Sequence, residues 1–174
     1  MKKRVVYVNG NFVDEDKAKV SVFDRGFLFA DAVYEVTAVI DGQILEWDGH
    51  VKRLERSLKE LDMKFPISET ELLDIHFDLI KKNTLKEGLI YLQVTRGEDD
   101  RSFDYPDESV KPTLVLFTQV KSLAESNIAK TGLKVISVPD MRWGRRDIKT
   151  VQLLAPSMCK MMAKKKNKDD AWMI

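Results

Sequence analysis

The residues best suited to chemistry are Lys149 and the two arginines that precede it, Arg145 and Arg146. Two guanidinium groups raise the local positive potential, and a lysine in such surroundings loses its proton more easily than a free lysine. A neutral lysine amine is the nucleophile that forms Schiff bases with carbonyl compounds. The segment 145–149 therefore makes Lys149 a candidate for covalent catalysis, although a charged pentapeptide alone is more often a solvated turn.

A second basic segment contains the lysines at 160, 164–166 and 168 and is a candidate for binding nucleic acid. It lies where we expect a helix to end, a position that favours cations, and Asp169 and Asp170 follow directly. With 29 basic and 28 acidic residues the net charge is +1, so the chain has no overall attraction for nucleic acid or for an anionic membrane. We expect neither as a partner.

The cysteine and histidine content argues against disulfides and metal sites. Cys159 is the single cysteine, and His50 and His76 are the two histidines. This is a poor ligand set for a transition metal, and we expect both histidines to be structural or exposed. The apolar run after the basic start is too short for a signal peptide, and no segment approaches membrane-spanning length. We expect a reducing, cytoplasmic location and no metal.

The elements that must position these residues begin with two hairpins. Residues 4–13 and residues 33–47 each contain β-branched or aromatic runs interrupted by an Asn-Gly or Asp-Gly pair, which favours a two-residue turn. From these two hairpins we expect the chain to open as an antiparallel β meander.

Two helices should follow these hairpins. Asp48 is placed as the N-cap of a helix over residues 49–62, in which apolar residues recur at helical spacing. Ser68 and Glu71 have the spacing of a capping box, and a second apolar stripe continues from there to Lys82. We expect both helices to be amphipathic.

The rest of the chain predicts more strands and one more helix. Residues 89–95 and 113–120 are β-rich and are separated by a long polar loop, the kind of loop that often carries function. A strand over 133–138 and a helix over 151–166 follow. The apolar residues 171–174 then start a strand, so we expect the chain to be C-terminally truncated.

The order of these elements predicts an α+β fold with two domains. Residues 1–120 would form an N-terminal α+β domain. The polar segment 121–131, which is poor in large apolar residues, would be the interdomain linker. Residues 132–174 would begin a C-terminal domain that is only partly present.

Five motifs occur in the order in which one enzyme family has them. They are DRGFLFADAVYEV at 24–36, HVKRL at 50–54, QVTRG at 93–97, Arg101, and RRDIK at 145–149. These motifs resemble those of the fold-type IV, class IV aminotransferases and are most similar to the D-amino-acid aminotransferase branch. The resemblance implies that family's fold, with a complete N-terminal α/β sandwich-like domain and the start of a larger, β-rich C-terminal domain.

The same resemblance implies pyridoxal 5′-phosphate as the cofactor and makes residues 132–174 the start of the cofactor-binding domain. Lys149 matches the catalytic lysine that holds the cofactor aldehyde as a Schiff base and moves the substrate Cα proton. Arg53 matches the arginine that binds the cofactor phosphate, a role suited to its planar fork of N–H donors. Without the motif, Arg53 would be interpreted as an ordinary arginine on a helix surface.

Three further residues match substrate-binding positions of the family. Tyr34 and Arg101 match the phenol and the cation that hold the substrate α-carboxylate in D-specific enzymes. Val36 matches a position that lines the pocket, although a strand valine fits plain core equally well. Phe103 stands where the D-specific pattern has a histidine, which removes one donor from the carboxylate site and leaves the substrate range open.

The implied reaction is amino-group transfer between a D-alanine-like D-amino acid and a 2-oxo acid such as 2-oxoglutarate. Branched-chain aminotransferase and aminodeoxychorismate lyase share the fold and the cofactor and remain alternatives, with Arg101 favouring the D-specific branch. Members of the family continue into a second domain that supplies an acidic partner for the cofactor ring nitrogen. We therefore expect weak or no turnover from the 174-residue chain alone.

The implied partners are small amino acids and keto acids, together with a second copy of the chain. Subunits of this family place loops over each other's active sites, so a homodimer would let Arg101 act across the interface. An alternative of another class is a non-catalytic remnant that still folds and dimerises.

Overall fold

The computed structural model describes residues 3–125 and 127–174. Within these ranges the chain forms a six-stranded sheet, a two-stranded sheet and several helices, which confirms the predicted α+β class. In chain order the elements are β1 (Val5–Val8), β2 (Asn11–Asp14), α1 (Arg25–Phe29), β3 (Ala32–Ile40), β4 (Gln43–Ile44), α2 (Trp47–Glu60), α3 (Glu69–Asn83), β5 (Gly88–Thr95), β6 (Thr113–Val120), α4 (Asn127–Thr131), β7 (Val135–Val138), α5 (Leu154–Lys165) and β8 (Asp170–Met173).

Contacts between residues divide the chain into two compact units. The first runs to Leu123 and also includes the short segment Ile148–Val151. The second consists of Ala124–Asp147 and Gln152–Ile174. The first unit therefore takes in a piece of chain from beyond the predicted linker, and the proposed domain limits stay a prediction.

The six-stranded sheet has the order β2-β1-β6-β5-β3-β4, and its neighbouring strands are antiparallel. Both predicted hairpins are present, as β1–β2 and β3–β4. They lie at opposite edges of the sheet, so the expected opening meander is wrong. The later strands β5 and β6 insert between the hairpins because β5 pairs along almost the full length of β3, from Ala32↔Thr95 to Val39↔Gly88.

The second hairpin is shorter on its returning side than the sequence predicts. Glu46 adopts a left-handed conformation with φ 53° and ends the strand, and α2 begins at Trp47. Glu46 is thus the N-cap, and the predicted cap Asp48 lies in the first helical turn. An acidic side chain there still interacts favourably with the positive end of the helix dipole.

The second predicted helix is confirmed with its cap. The Ser68 hydroxyl oxygen accepts a hydrogen bond from the Glu71 backbone N–H at 3.2 Å, and α3 follows directly. Lys81 and Lys82 lie in its last turn, where cations are favoured.

The core lies between the helices and one face of the large sheet. Helix α2 contacts β3, and α3 contacts β1 and β6. Alternate residues of β3 from Val33 to Val39 are buried, while Tyr34 and Val36 on the opposite face are half-buried. The largest apolar side chains of this core are Leu54, Leu58, Leu72, Leu79, Ile90, Leu92 and Leu116.

The second unit is built from α5 and a parallel strand pair. Strand β7 pairs with β8 from Val135↔Asp170 to Val138↔Met173, and α5 contacts both strands. A parallel pair needs a long crossover, which here contains α5. Pro156 lies in the first turn of α5, where the missing backbone N–H costs no helical hydrogen bond.

None of the helices in the described parts of the chain combines the length and the apolar character needed to cross a bilayer.

The buried histidine His76 has an unusual environment inside α3. Its side chain is 1% exposed, its Nδ1–H donates to the Leu72 carbonyl oxygen at 2.8 Å, and its ring meets Trp47 edge to face at 4.9 Å. Burial lowers the pKa of His76 from 6.5 to about 4, against the opposing effect of the hydrogen bond to Leu72. The folded chain therefore holds a neutral imidazole at neutral pH.

This shift makes stability dependent on pH in a defined window. Because the unfolded chain binds the proton more tightly, the His76 contribution is complete above pH 6.5 and is lost as pH falls toward 4. When the pH falls from about 7 to about 4.5, the unfolding free energy decreases in the wild type because of His76. We expect this decrease to be about 2 kcal/mol smaller in His76→Leu. Urea unfolding at both pH values tests this, and equal losses would contradict it.

Candidate active site

Residues Ile148–Val151 lie along the edge of β3 at its N-terminal end. The Tyr34 N–H donates to the Lys149 carbonyl oxygen at 3.0 Å, and the Val151 N–H donates to the Ala32 carbonyl oxygen at 3.2 Å. Strand β4 reaches only the other end of β3, so these backbone groups would otherwise lack a strand partner. The sheet edge thus fixes the backbone of Lys149.

The Lys149 residue is held from two further sides. Its backbone N–H donates to the Ser57 hydroxyl oxygen at 3.3 Å, and Ser57 is buried on α2. Its Nζ lies 3.9 Å from the centre of the Tyr34 ring, an arrangement in which the ring face attracts the ammonium group. Lys149 and Tyr34, two of the predicted site residues, are therefore in direct contact.

The two arginines before Lys149 each have a carboxylate partner. Arg145 pairs with Asp147 through two hydrogen bonds of 3.0 and 2.9 Å. The Arg146 Nε lies 3.5 Å from Asp140. Each guanidinium has a carboxylate partner within its own unit, which offsets part of the expected positive charge, and Asp140 also pairs with Arg142 at 2.8 Å. The effect of the two arginines on Lys149 stays a prediction.

A buried carboxylate, Glu35, organises the basic residues of α2. Its side chain is 3% exposed, and Arg53 donates two hydrogen bonds to it, from Nε and Nη2, at 2.7 Å each. His50 Nδ1 lies 2.8 Å from the same carboxylate. Sequence reasoning missed Glu35. The signal was present, since Glu35 occupies an inward-facing position of β3 between Val33 and Thr37, where a charge requires partners.

The pKa of Glu35 reports how its partners offset burial. Burial alone would raise this pKa, but the hydrogen bonds from Arg53 and His50, together with their charges, lower it below the usual value. Glu35 is therefore an anion at neutral pH. It uses the Nε and Nη2 edge of Arg53, and Nη1 donates no hydrogen bond to any described residue. One edge of the guanidinium that we predicted to bind phosphate is thus occupied by Glu35.

Arg53 and Lys149 are linked through helix α2. Ser57, which binds the Lys149 backbone, lies four residues after Arg53. Residues at this spacing share a helix face and are about 6 Å apart along the axis. A guanidinium and a lysine are therefore anchored one helical turn apart.

An aromatic stack continues from Tyr34 across the open face of the sheet. The ring centres of Tyr34 and Tyr91 are 5.7 Å apart, and those of Tyr91 and Phe117 are 4.9 Å apart. Burial raises the pKa of Tyr91 to about 12, with a contribution from Tyr34. Val36 pairs directly with Tyr91 in the sheet. Val36 thus borders the stack, while no motif or spacing in the sequence had singled out Tyr91 or Phe117.

Arg101 lies apart from these residues. It sits in an exposed loop with its guanidinium 5.5 Å from the Phe29 ring and 5.6 Å from the Phe103 ring. Among the described residues, no hydrogen bond, ion pair or ring contact joins it to Lys149, Arg53 or Tyr34. Phe103 is 82% exposed. Within a single chain, Lys149, Tyr34 and Arg53 are therefore brought together, but Arg101 is not.

The assembled groups suit covalent chemistry on a small anionic carbonyl compound. The amine of Lys149 supplies a nucleophile, and the unengaged edge of Arg53 supplies a donor for an anion. The described ranges contain no group of three or more His, Cys, Asp or Glu side chains placed to hold a metal ion.

Comparison with known sequences identifies one family. The sequence pattern of the family described as amino-transferase class IV matches residues 32–174. The D-alanine aminotransferase of Staphylococcus haemolyticus is 35% identical over 166 residues, which is 95% of this chain and 58% of the relative. The chain thus spans somewhat more than half the length of this curated relative.

Three solved structures share the fold. The branched-chain amino acid aminotransferase from Escherichia coli matches with a TM-score of 0.81 and 18% identity, over 99% of this chain and 58% of that one. The T.th. branched-chain enzyme with pyridoxamine 5′-phosphate matches with a TM-score of 0.84 and 20% identity, over 100% of this chain and 60% of that one. A Legionella pneumophila structure, provisionally described as a 4-amino-4-deoxychorismate lyase, matches with a TM-score of 0.78 and 23% identity, over 92% of this chain and 59% of that one.

The Glu35–Arg53 pair predicts a stability effect that requires no cofactor. Removing one partner of a buried ion pair costs about 3–5 kcal/mol. Because the Arg53 side chain is 47% exposed, we expect Arg53→Met to lower the unfolding free energy by about 2 kcal/mol.

Urea unfolding at neutral pH measures this change. Lys52→Met, on the same helix, is the matched control and should change stability by less than about 0.5 kcal/mol. Adding Glu35→Gln to Arg53→Met should recover part of the loss. Equal stability of Arg53→Met and Lys52→Met would contradict the role given to the pair.

Proposed function

Because the chain belongs to the class IV aminotransferases, we propose that it transfers an amino group between a D-amino acid such as D-alanine and a 2-oxo acid such as 2-oxoglutarate. Pyridoxal 5′-phosphate is the proposed cofactor, and Lys149 is the residue that holds it. The observation that supports this most is the fixed position of Lys149, which lies beside Tyr34 and is hydrogen-bonded to Ser57, one helical turn after Arg53.

The donor set fits this cofactor. Pyridoxal phosphate carries its aldehyde and its phosphate arm on adjacent ring carbons, so the amine and the anion donor that bind them must be close together. Lys149 and Arg53 meet this requirement through their shared link to α2. When bound, the cofactor supplies an electron sink that stabilises negative charge at the substrate Cα.

Lys149 would act as the base and acid of the reaction. Its Nζ takes the proton from the substrate Cα and carries it until the proton is returned. A flexible side chain suits this role, provided that its backbone is fixed. The hydrogen bonds to Tyr34 and Ser57 fix the Lys149 backbone, and the face of the Tyr34 ring attracts the amine when it is protonated.

Arg53 would bind the phosphate with the edge that Glu35 leaves unengaged. Glu35 orients the guanidinium through two hydrogen bonds, and His50 contacts the same carboxylate from the preceding turn of α2. A charged fork that is already oriented loses little freedom when it binds an anion. His50 therefore supports the phosphate site indirectly.

Tyr34 and Arg101 would bind the substrate α-carboxylate, with Val36 lining the pocket. Since Arg101 contacts none of the other site residues within one chain, we place it at the active site of a second copy in a homodimer. The loop itself carries exposed aromatic side chains, Phe103 at 82% and Tyr105 at 59%. Such exposure fits a surface that another subunit covers.

D-amino acids are the preferred substrates among the three activities that this fold accommodates. The sequence relatives at 33–36% identity are D-alanine aminotransferases. The branched-chain and lyase structures support only the fold, at 18–23% identity. Branched-chain aminotransferase and aminodeoxychorismate lyase are the alternatives. We place the protein in the cytoplasm, where these small metabolites occur.

Cofactor binding gives a direct optical test. Pyridoxal phosphate bound through a lysine absorbs visible light, so protein purified after addition of pyridoxal phosphate should be yellow. We expect Lys149→Ala to abolish the visible band, because the variant lacks the nucleophile. Lys52→Ala, which removes an exposed lysine of α2, should retain it. A band of wild-type intensity in Lys149→Ala would refute the assignment.

Substrate preference tests the role of Arg101. With 2-oxoglutarate as acceptor, D-alanine should be a better donor than L-leucine. Arg101→Met should raise the KM for D-alanine about tenfold, the effect of losing one charge-assisted contact to the carboxylate. A panel of donors compared by kcat/KM measures both effects. Faster turnover of L-leucine than of any D-amino acid would favour the branched-chain alternative.

A further inference from the structure

The loop that carries Arg101 is tied to helix α1 by a buried arginine, Arg25. The Arg25 side chain is 3% exposed. Its Nη1 donates to the carbonyl oxygens of Ser102 at 2.8 Å and Asp104 at 3.1 Å. The Arg25 backbone N–H also donates to the Gly97 carbonyl oxygen at 2.8 Å. One residue thus holds the loop on both sides of Arg101.

The position of Arg25 is itself fixed by a shared carboxylate. Asp31 accepts from Arg25 Nε at 2.9 Å and from Arg96 at 2.7 and 3.1 Å. Asp31 and Arg96 are each only 10% exposed. Charges with so little exposure need several partners. The two guanidinium groups have more N–H donors than the Asp31 carboxylate accepts, so some donors remain for other acceptors. Arg25 directs one of these, Nη1, at the loop carbonyls.

Aromatic rings complete the support on both sides of the loop. The Arg25 guanidinium lies 4.5 Å from the Phe29 ring centre, and Arg101 lies 5.5 Å from the same ring. The Arg96 guanidinium lies 3.7 Å from the Tyr105 ring centre. The backbone around Arg101 and the Arg101 side chain therefore rest on groups that Asp31 holds in place.

The bonds to Ser102 and Asp104 stabilise an irregular segment and add little to the core. Residues 101–105 are all exposed and belong to no helix or strand. Arg25 would satisfy its charge through Asp31 without them. Their specific consequence is to restrict the conformation of the backbone that follows Arg101.

We propose that Arg25 is a positioning residue, whose bonds to the Ser102 and Asp104 carbonyls hold the Arg101 guanidinium in the orientation that receives the substrate carboxylate. The restraint of the loop by Arg25 does not depend on the proposed function. The consequence for substrate rests on the proposed function of Arg101.

The test compares the rates at which trypsin cleaves two Arg–Ser peptide bonds of the same chain. Trypsin cleaves after arginine, and cleavage at Arg101–Ser102 reports loop opening, whereas cleavage at Arg56–Ser57 requires unfolding of α2. Arg25→Lys keeps a cation for Asp31 but has a single nitrogen, which cannot serve Asp31 and both carbonyls. We expect the ratio of the two cleavage rates to rise about tenfold, the equivalent of one net hydrogen bond.

Matched variants separate loop opening from general instability. Arg4→Lys removes a guanidinium bond to the Thr118 carbonyl, far from the loop in sequence, and should change the ratio less than about twofold. Arg25→Gln, which keeps a buried donor that is too short for either carbonyl, serves as the second variant should Arg25→Lys not fold. An unchanged ratio in the folded Arg25 variant would overturn the proposal.

The substrate consequence has its own readout. In protein loaded with pyridoxal phosphate, Arg25→Lys should raise the KM for D-alanine about tenfold and leave kcat within about threefold. A raised cleavage ratio with an unchanged KM would overturn the link to substrate. Absence of the visible cofactor band from the wild type would count against the proposed function, and the cleavage ratio would still decide whether Arg25 restrains the loop.

Discussion

Backbone pairing between Ile148–Val151 and the open edge of β3 is the contact on which the candidate site depends. Strand β4 covers only Val39 and Ile40 of that edge, so the N–H of Tyr34 and the carbonyl of Ala32 need other partners. Leaving buried backbone groups unpaired is costly, and the returning segment satisfies them. Ile148 adds a buried apolar anchor. The backbone of Lys149 is thus placed by the same hydrogen bonding that completes the sheet.

The carboxylates of Glu35 and Asp31 extend this placement to the basic residues around the site. Glu35 holds Arg53 on α2, and Asp31 holds Arg25 against the loop. In both cases a carboxylate orients a guanidinium and leaves one of its edges with further donors. Glu35 leaves Nη1 of Arg53 for an anion, and Asp31 leaves Nη1 of Arg25 for loop carbonyls. Burying the charges has a cost, and the result is a set of donors whose directions are defined before any ligand arrives.

Local signals predicted local structure well. The Asn-Gly and Asp-Gly turns located both hairpins, and Ser68 located the start of α3. The order of strands in the sheet was not predictable, because β5 and β6 join it through pairings between residues distant in sequence. Family motifs brought out Lys149, Tyr34 and Arg53, and the structure places these three around β3 and α2. Charge counting along the chain does not include ion pairing, and the carboxylate partner of Arg145 offsets part of the charge expected there.

Reductive trapping followed by peptide mapping tests the central claim most directly, namely that the β3 edge presents Lys149 as the amine that binds the cofactor. Borohydride added to protein mixed with pyridoxal phosphate makes the attachment permanent, and mass spectrometry of the peptides locates it. The expected result is one dominant phosphopyridoxyl label, at Lys149. A label spread over surface lysines, or concentrated at any lysine other than Lys149, would contradict the claim.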